Sequence, residues 1–157
     1  MKFIFYSVLI LFVSCNKTSK SVATTPPKTD VSKVVITYEA TPCFGHCPSY
    51  KITITGATQI ITYQGFQNVD SIGTYTKPYP NDSIIALVNE FDKAKFFELE
   101  DKYLGYISDF PSQITTYTID GKTKKVTDRK GAPPQLRELE GILRIIANPT
   151  GWKKTEE

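Results

Sequence analysis

"YKITITGATQIITYQGF", Tyr50–Phe66, reads as two strands and a turn. In its first half Tyr50, Ile52 and Ile54 alternate with Lys51, Thr53 and Thr55. Successive side chains on an extended chain point to opposite faces, so this spacing gives one apolar and one polar face. Gly56-Ala57 interrupt the pattern, and "QIITYQGF" (59–66) resumes it. Two such runs joined by so short a link pair antiparallel, as a hairpin.

Working outward, "VVITYEA" (34–40) precedes this hairpin and "SIGTYTK" (71–77) follows it, after polar residues Gln67 to Asp70. The four runs predict a four-stranded antiparallel meander. The period then changes. "PNDSIIALVNEFDKAKFFEL" places Ile84, Leu87, Val88, Phe91 and Ala94 on one helical stripe, with Asn81 or Asp82 as the expected N-cap. "QITTYTID" and "KTKKVTD" form a β-hairpin around Asp120-Gly121, a two-residue turn signal. In "PPQLRELEGILRIIANP", Leu136, Leu139, Leu143 and Ile146 recur at helical spacing, with Pro133-Pro134 at the start and Pro149 beyond the end. Four strands, a helix, two strands and a C-terminal helix predict an α+β fold, its helices packed on one face of an antiparallel sheet.

The N-terminus reads as an address. "MKFIFYSVLILFVSC" has Lys2, an apolar run from Phe3 to Val13, then Ser14 and Cys15. As a helix that run rises only ~16 Å, short of a ~30 Å bilayer core, so a signal peptide is favoured over a permanent span. Phe12-Val13-Ser14-Cys15 resembles a bacterial lipobox, which implies acylation (palmitate) of Cys15 and removal of residues 1–14. "NKTSKSVATTPPKTD" is polar and proline-containing, the composition of a flexible tether. The expected organisation is signal peptide 1–14, lipidated cysteine and tether 15–31, a single α+β domain 32–152, and a tail 153–157.

The chain has 157 residues, 40% hydrophobic and 22% charged, with a net charge of +3. That is an ordinary globular mixture. No basic run reaches four residues, so nucleic acid is not an expected partner.

Two of the three cysteines and the single histidine fall within "TPCFGHCP", Thr41–Pro48. If Cys15 carries lipid, Cys43 and Cys47 remain as a pair in an oxidising compartment, where a disulfide is the first reading. Two alternatives use the same residues. A thiol redox role lacks a following helix, whose N-terminus would lower a thiol pKa. A copper or zinc site could draw on Cys43, His46 and Cys47, but lacks a fourth soft ligand.

Several stretches together resemble the DUF6438 family of exported bacterial proteins: "CFGHCPSYKITI", "QIITYQGF", "KAKFFEL", "SDFPSQITTYTIDG" and "GAPPQLRELE". They span roughly Val35 to Ile145, and Ser112 stands where that family often has threonine. The resemblance implies a shared fold and an exported setting, and brings no activity with it.

No nucleophile elbow, zinc-protease helix or phosphate-binding glycine loop occurs. Acidic pairs such as Glu98/Glu100 or Asp101/Asp109 offer the residue types of a glycosidase, at spacings that chance also supplies. The loop Asp101–Ser112 sets Tyr103, Tyr106 and Phe110 beside Asp109. The favoured reading has Tyr103 and Phe110 plugging the helix-to-strand junction and Asp109 capping the Asp-Phe-Pro-Ser turn. The alternative makes these residues, together with His46, a binding surface. The expectation is a lipid-anchored envelope protein, outer membrane preferred, with a non-enzymatic binding or assembly domain, no cofactor, and an envelope protein or glycan as partner.

Overall fold

The computed structural model describes residues 30–106, 108–148 and 150–155. The signal peptide, Cys15 and all but the end of the tether lie outside the described residues. The strands are β1 (Val35–Ala40), β2 (Ser49–Thr55), β3 (Ile60–Gln67), β4 (Gly73–Pro78), β5 (Lys102–Tyr103), β6 (Gln113–Ile119), β7 (Lys122–Asp128) and β8 (Lys153–Lys154). Helix α1 is Asn81–Lys93 and α2 is Pro134–Ile146. All eight strands form one sheet in the order β5-β7-β6-β1-β2-β3-β4-β8. Every neighbouring pair is antiparallel except β5 and β7.

The expected meander is β1 to β4, and the expected hairpin β6–β7 attaches at its β1 edge. Asp120 and Gly121 both take positive φ, 49° and 78°, as a primed two-residue turn requires. The β2–β3 turn presses against the start of the chain. A Cβ on Gly56 would lie 1.7 Å from the Val31 carbonyl oxygen, so only glycine fits there. Gly56 N–H also donates to the Val34 carbonyl at 2.9 Å.

Alternation decides which face is covered. Ile36, Tyr38, Ile52, Ile54, Ile61, Tyr63, Tyr117 and Val126 all point to one face and are at most 3% exposed. Ile84, Leu87, Val88 and Phe91 of α1, with Leu136, Leu139 and Leu143 of α2, close over them. Each such side chain removed from water contributes about 1.5–3 kcal/mol before the entropy of ordering is set against it. The other face stays open. One cross-strand row there runs Thr116, Thr37, Thr53, Thr62, Thr76, between Lys125 and Lys153. Threonine suits a pleated, half-wet surface.

Three details differ from the expected pattern. The α1 N-cap is Pro80 (φ −67°, ψ 159°), without a side-chain cap, so Asn81 is already helical. The loop after α1 contains β5, which pairs with β7. Lys153–Lys154, expected in the tail, add a strand to the β4 edge.

Candidate functional site

Eight residues, 41–48, carry the chain from β1 to β2. Within them Cys43 and Cys47 are disulfide-bonded, with Cα atoms 5.6 Å apart. Gly45 N–H donates to Cys43 Sγ at 3.2 Å. The loop is held on both flanks. Thr41 N–H donates to the Ser112 carbonyl (2.9 Å) and Ser112 N–H to Thr41 Oγ1 (2.8 Å). Asn68 Nδ2 donates to the Cys47 carbonyl (3.2 Å). Phe44 and His46 stand out from this clasp, exposed to solvent.

Behind the loop lies an aromatic ladder. Tyr38, Tyr50, Tyr63 and Tyr75 come from β1, β2, β3 and β4, with ring centroids 6.1, 5.7 and 6.2 Å apart in turn. Tyr50 and Tyr63 stack at 22°, and Trp152 packs 5.6 Å from Tyr63. The ladder floors an open cleft of about 310 Å³ between the disulfide loop, the β3–β4 connection and the C-terminal end of α2. Pro48, Tyr50 and Tyr63 supply its apolar wall, and Asn68, Asp70, Arg144 and Asn148 its polar one. Arg144 is oriented from behind: its Nη2 donates to Gln113 Oε1 at 2.9 Å, and Tyr38 donates to the same oxygen at 2.6 Å. Burial pushes the Tyr50 and Tyr63 hydroxyls above their ordinary pKa, so both remain protonated.

One turn before Arg144, Glu140 points inward and is 1% exposed. It faces Asp128, at the end of β7, which is 6% exposed. Burial pushes the Glu140 carboxyl up to about 8, and the Asp128 charge acts in the same direction. Burial also raises Asp128, against the Ala132 N–H, Glu140 and Arg137. Asp128 Oδ1 and Glu140 Oε1 find no donor among the described residues. Two carboxylates cannot bond one another. One proton between them satisfies both oxygens.

The sequence-derived candidates sit at the same end of the sheet as the disulfide loop, but none lines the cleft. Tyr106 is fully exposed, and Phe110 is 49% exposed with Lys130 Nζ 5.7 Å from its ring centre. Tyr103 is half-buried against the core, and its hydroxyl accepts from Glu100 N–H at 3.0 Å. Asp109 Oδ1 accepts from Ser108 Oγ. The junction is therefore plugged by Tyr103 and not by Phe110. Of the acidic residues considered for hydrolysis, Asp101 pairs with Lys124 at 2.6 Å, which lowers its pKa, and Glu98 pairs with Lys95. Both face solvent. With Cys43 and Cys47 bonded to each other, neither offers a thiolate to a metal, and no three His, Cys, Asp or Glu side chains converge among the described residues.

Neither the cleft nor the acid pair is among the sequence-derived candidates. Glu140 is visible as a charge inside the apolar stripe Leu136, Leu139, Leu143, and Asp128 shares the inward register of Val126. A family model described as "Domain of unknown function (DUF6438)" matches residues 34–147. No curated protein matches the chain.

Proposed function

Since the chain belongs to the DUF6438 family, which carries no assigned activity, we propose that it is a lipid-anchored protein of the bacterial envelope. Its domain binds a partner without chemistry, and the site is the cleft beside the disulfide loop. The observation that carries this reading is the joining of a stacked Tyr50–Tyr63 floor to Asn68, Asp70 and a braced Arg144. Tyr50 and Tyr63 are 8% and 3% exposed, so it is their rims that reach the cleft. Aromatic rims bordered by planar hydrogen-bonding groups suit the C–H and hydroxyl pattern of a sugar. The partner class is therefore an envelope glycan. A catalytic role is disfavoured because the carboxyl displaced furthest from its ordinary pKa, Glu140, is sealed in the core, where no substrate reaches it. Lipidation of Cys15, with the outer membrane as its preferred location, would hold the domain near such a partner.

The test is an NMR titration of the labelled protein with soluble peptidoglycan fragments. Shifts should concentrate at Tyr50, Tyr63, Asn68 and Asp70. Arg144→Ala should weaken binding about tenfold, as expected for one lost charged hydrogen bond. Shifts confined to other surfaces, or cleavage of the glycan during the titration, would refute the reading. Incorporation of a palmitate analogue that is lost in Cys15→Ser tests the anchor.

A further inference from the structure

Ten large apolar side chains are exposed among the described residues, and six of them stand at one end of the sheet. Phe44 sits in the disulfide loop. Phe66 and Ile72 flank the β3–β4 connection, and Leu104, Tyr106 and Phe110 lie in the segment between β5 and β6. The register brings these segments to one rim. Ala40 pairs with Tyr50 and Gln113, Ser49 with Gln67, and Asp128 with Gln113 and Tyr103. Phe44 is 98% exposed and Tyr106 is fully so. None of the six lines the cleft.

We propose that this aromatic rim is a membrane-contact surface that dips into the headgroup layer of a lipid bilayer. The shape favours lipid over a protein partner. The apolar groups are carried on three different segments of the chain, and a fluid surface accommodates them without matching contours. Aromatic rings settle at the level of lipid headgroups. Phe44 is carried on a five-residue disulfide ring, so inserting it orders little extra chain. Lys130, set over the Phe110 ring, Arg129 and Arg144 stand against Asp70 and Asp109 at the same end, which leaves about one net positive charge. Contact should therefore depend little on anionic lipid.

The length of chain before the domain permits this orientation. Asp30 precedes β1 at the end of the sheet opposite the rim, and the six residues of β1 span about 20 Å. From Cys15 to Asp30 an extended chain reaches about 50 Å. An anchor at Cys15 therefore lets the domain lie with its rim on the membrane that holds it. In that respect the inference rests on the proposed anchor.

The test uses the full mature protein reconstituted in phosphatidylcholine vesicles containing brominated acyl chains, which quench tryptophan at bilayer depth. Phe44→Trp and, separately, Tyr106→Trp should each show emission quenched about twofold, beyond the wild-type signal from Trp152. Phe97→Trp, at an exposed apolar position off the rim, should not. Replacing a fifth of the lipid with phosphatidylglycerol should leave the quenching unchanged. If the tryptophans introduced at both rim positions stay unquenched on protein that floats with the vesicles, the inference is overturned and a protein partner takes its place. Intact mass of the mature protein tests the anchor separately. If acyl chains are absent, the anchor reading fails, and the same quenching at raised vesicle concentration still decides for or against the rim.

Discussion

Glu140→Gln should make this protein more stable at neutral pH. In the folded state Glu140 holds its proton up to about pH 8, whereas in the unfolded chain it releases it near 4.5. Folding at pH 7 therefore forces proton uptake by a group that would otherwise be ionised. At 1.36 kcal/mol per unit, this costs about 3 kcal/mol at pH 7 and approaches 5 kcal/mol above pH 8. Because the folded pKa lies above the unfolded one, stability is greatest at and below about pH 4.5 with respect to this group. It falls as pH rises toward 8. Asp128 is raised as well and acts in the same sense. Glutamine keeps the shape, needs no proton, and its amide N–H takes over from the shared proton as donor to the Asp128 oxygen. Urea denaturation at pH 5, 7 and 8.5 reads the effect directly. The wild type should lose stability across the series. Glu140→Gln should flatten that decline and gain up to about 3 kcal/mol at pH 7. Wild-type stability that rises between pH 5 and 8.5, or a variant no more stable at pH 7, would refute the shared-proton account.

Three further outcomes can be measured on the same denaturation curves. Cys43→Ser/Cys47→Ser should cost about 2 kcal/mol, the loop-closure entropy of a five-residue ring. A loss near zero would mean that the loop is held by Ser112 and Asn68 alone. Tyr117→Phe should be neutral or stabilising by about 1 kcal/mol, because the buried Tyr117 hydroxyl has no partner among the described residues. A large destabilisation would reveal a bond to that hydroxyl. Gly65→Ala should cost about 3 kcal/mol, since its Cβ would fall 1.9 Å from the Ser71 carbonyl oxygen. Wild-type stability in that variant would show that the β3–β4 connection yields freely.

Elements with a long period are readable in the sequence. β1 to β4 announce themselves by alternation, α1 and α2 by their stripes, and the β6–β7 turn by Asp120-Gly121. β5 and β8 are not, because two residues carry no period and their strand geometry comes from the edges they join. Asn81 and Asp82 suggest a cap from residue type. Pro80 holds that place because its carbonyl already accepts from Ser83 and Ile84. The cleft is hidden for a different reason. Its wall is gathered from Pro48 to Asn148 across several connections, and only tertiary pairing brings those residues together. His46, Tyr106, Asp109 and Phe110 lie at the same end of the sheet as the cleft without lining it. Exposed aromatic and polar residues in loops are visible by type, whereas an inward-facing tyrosine reads simply as core.

The two short outer strands have a consequence for crowding. An open sheet can grow by taking another chain onto a bare edge, and proteins held at high surface density meet edge to edge often. Here β5 covers only the Thr127–Asp128 end of β7, and the uncovered length presents Lys122 and Lys125. At the other side β8 places Lys153 and Lys154 outermost. A second copy approaching either border in the same way sets lysine against lysine, so the sheet stops growing at its own margins.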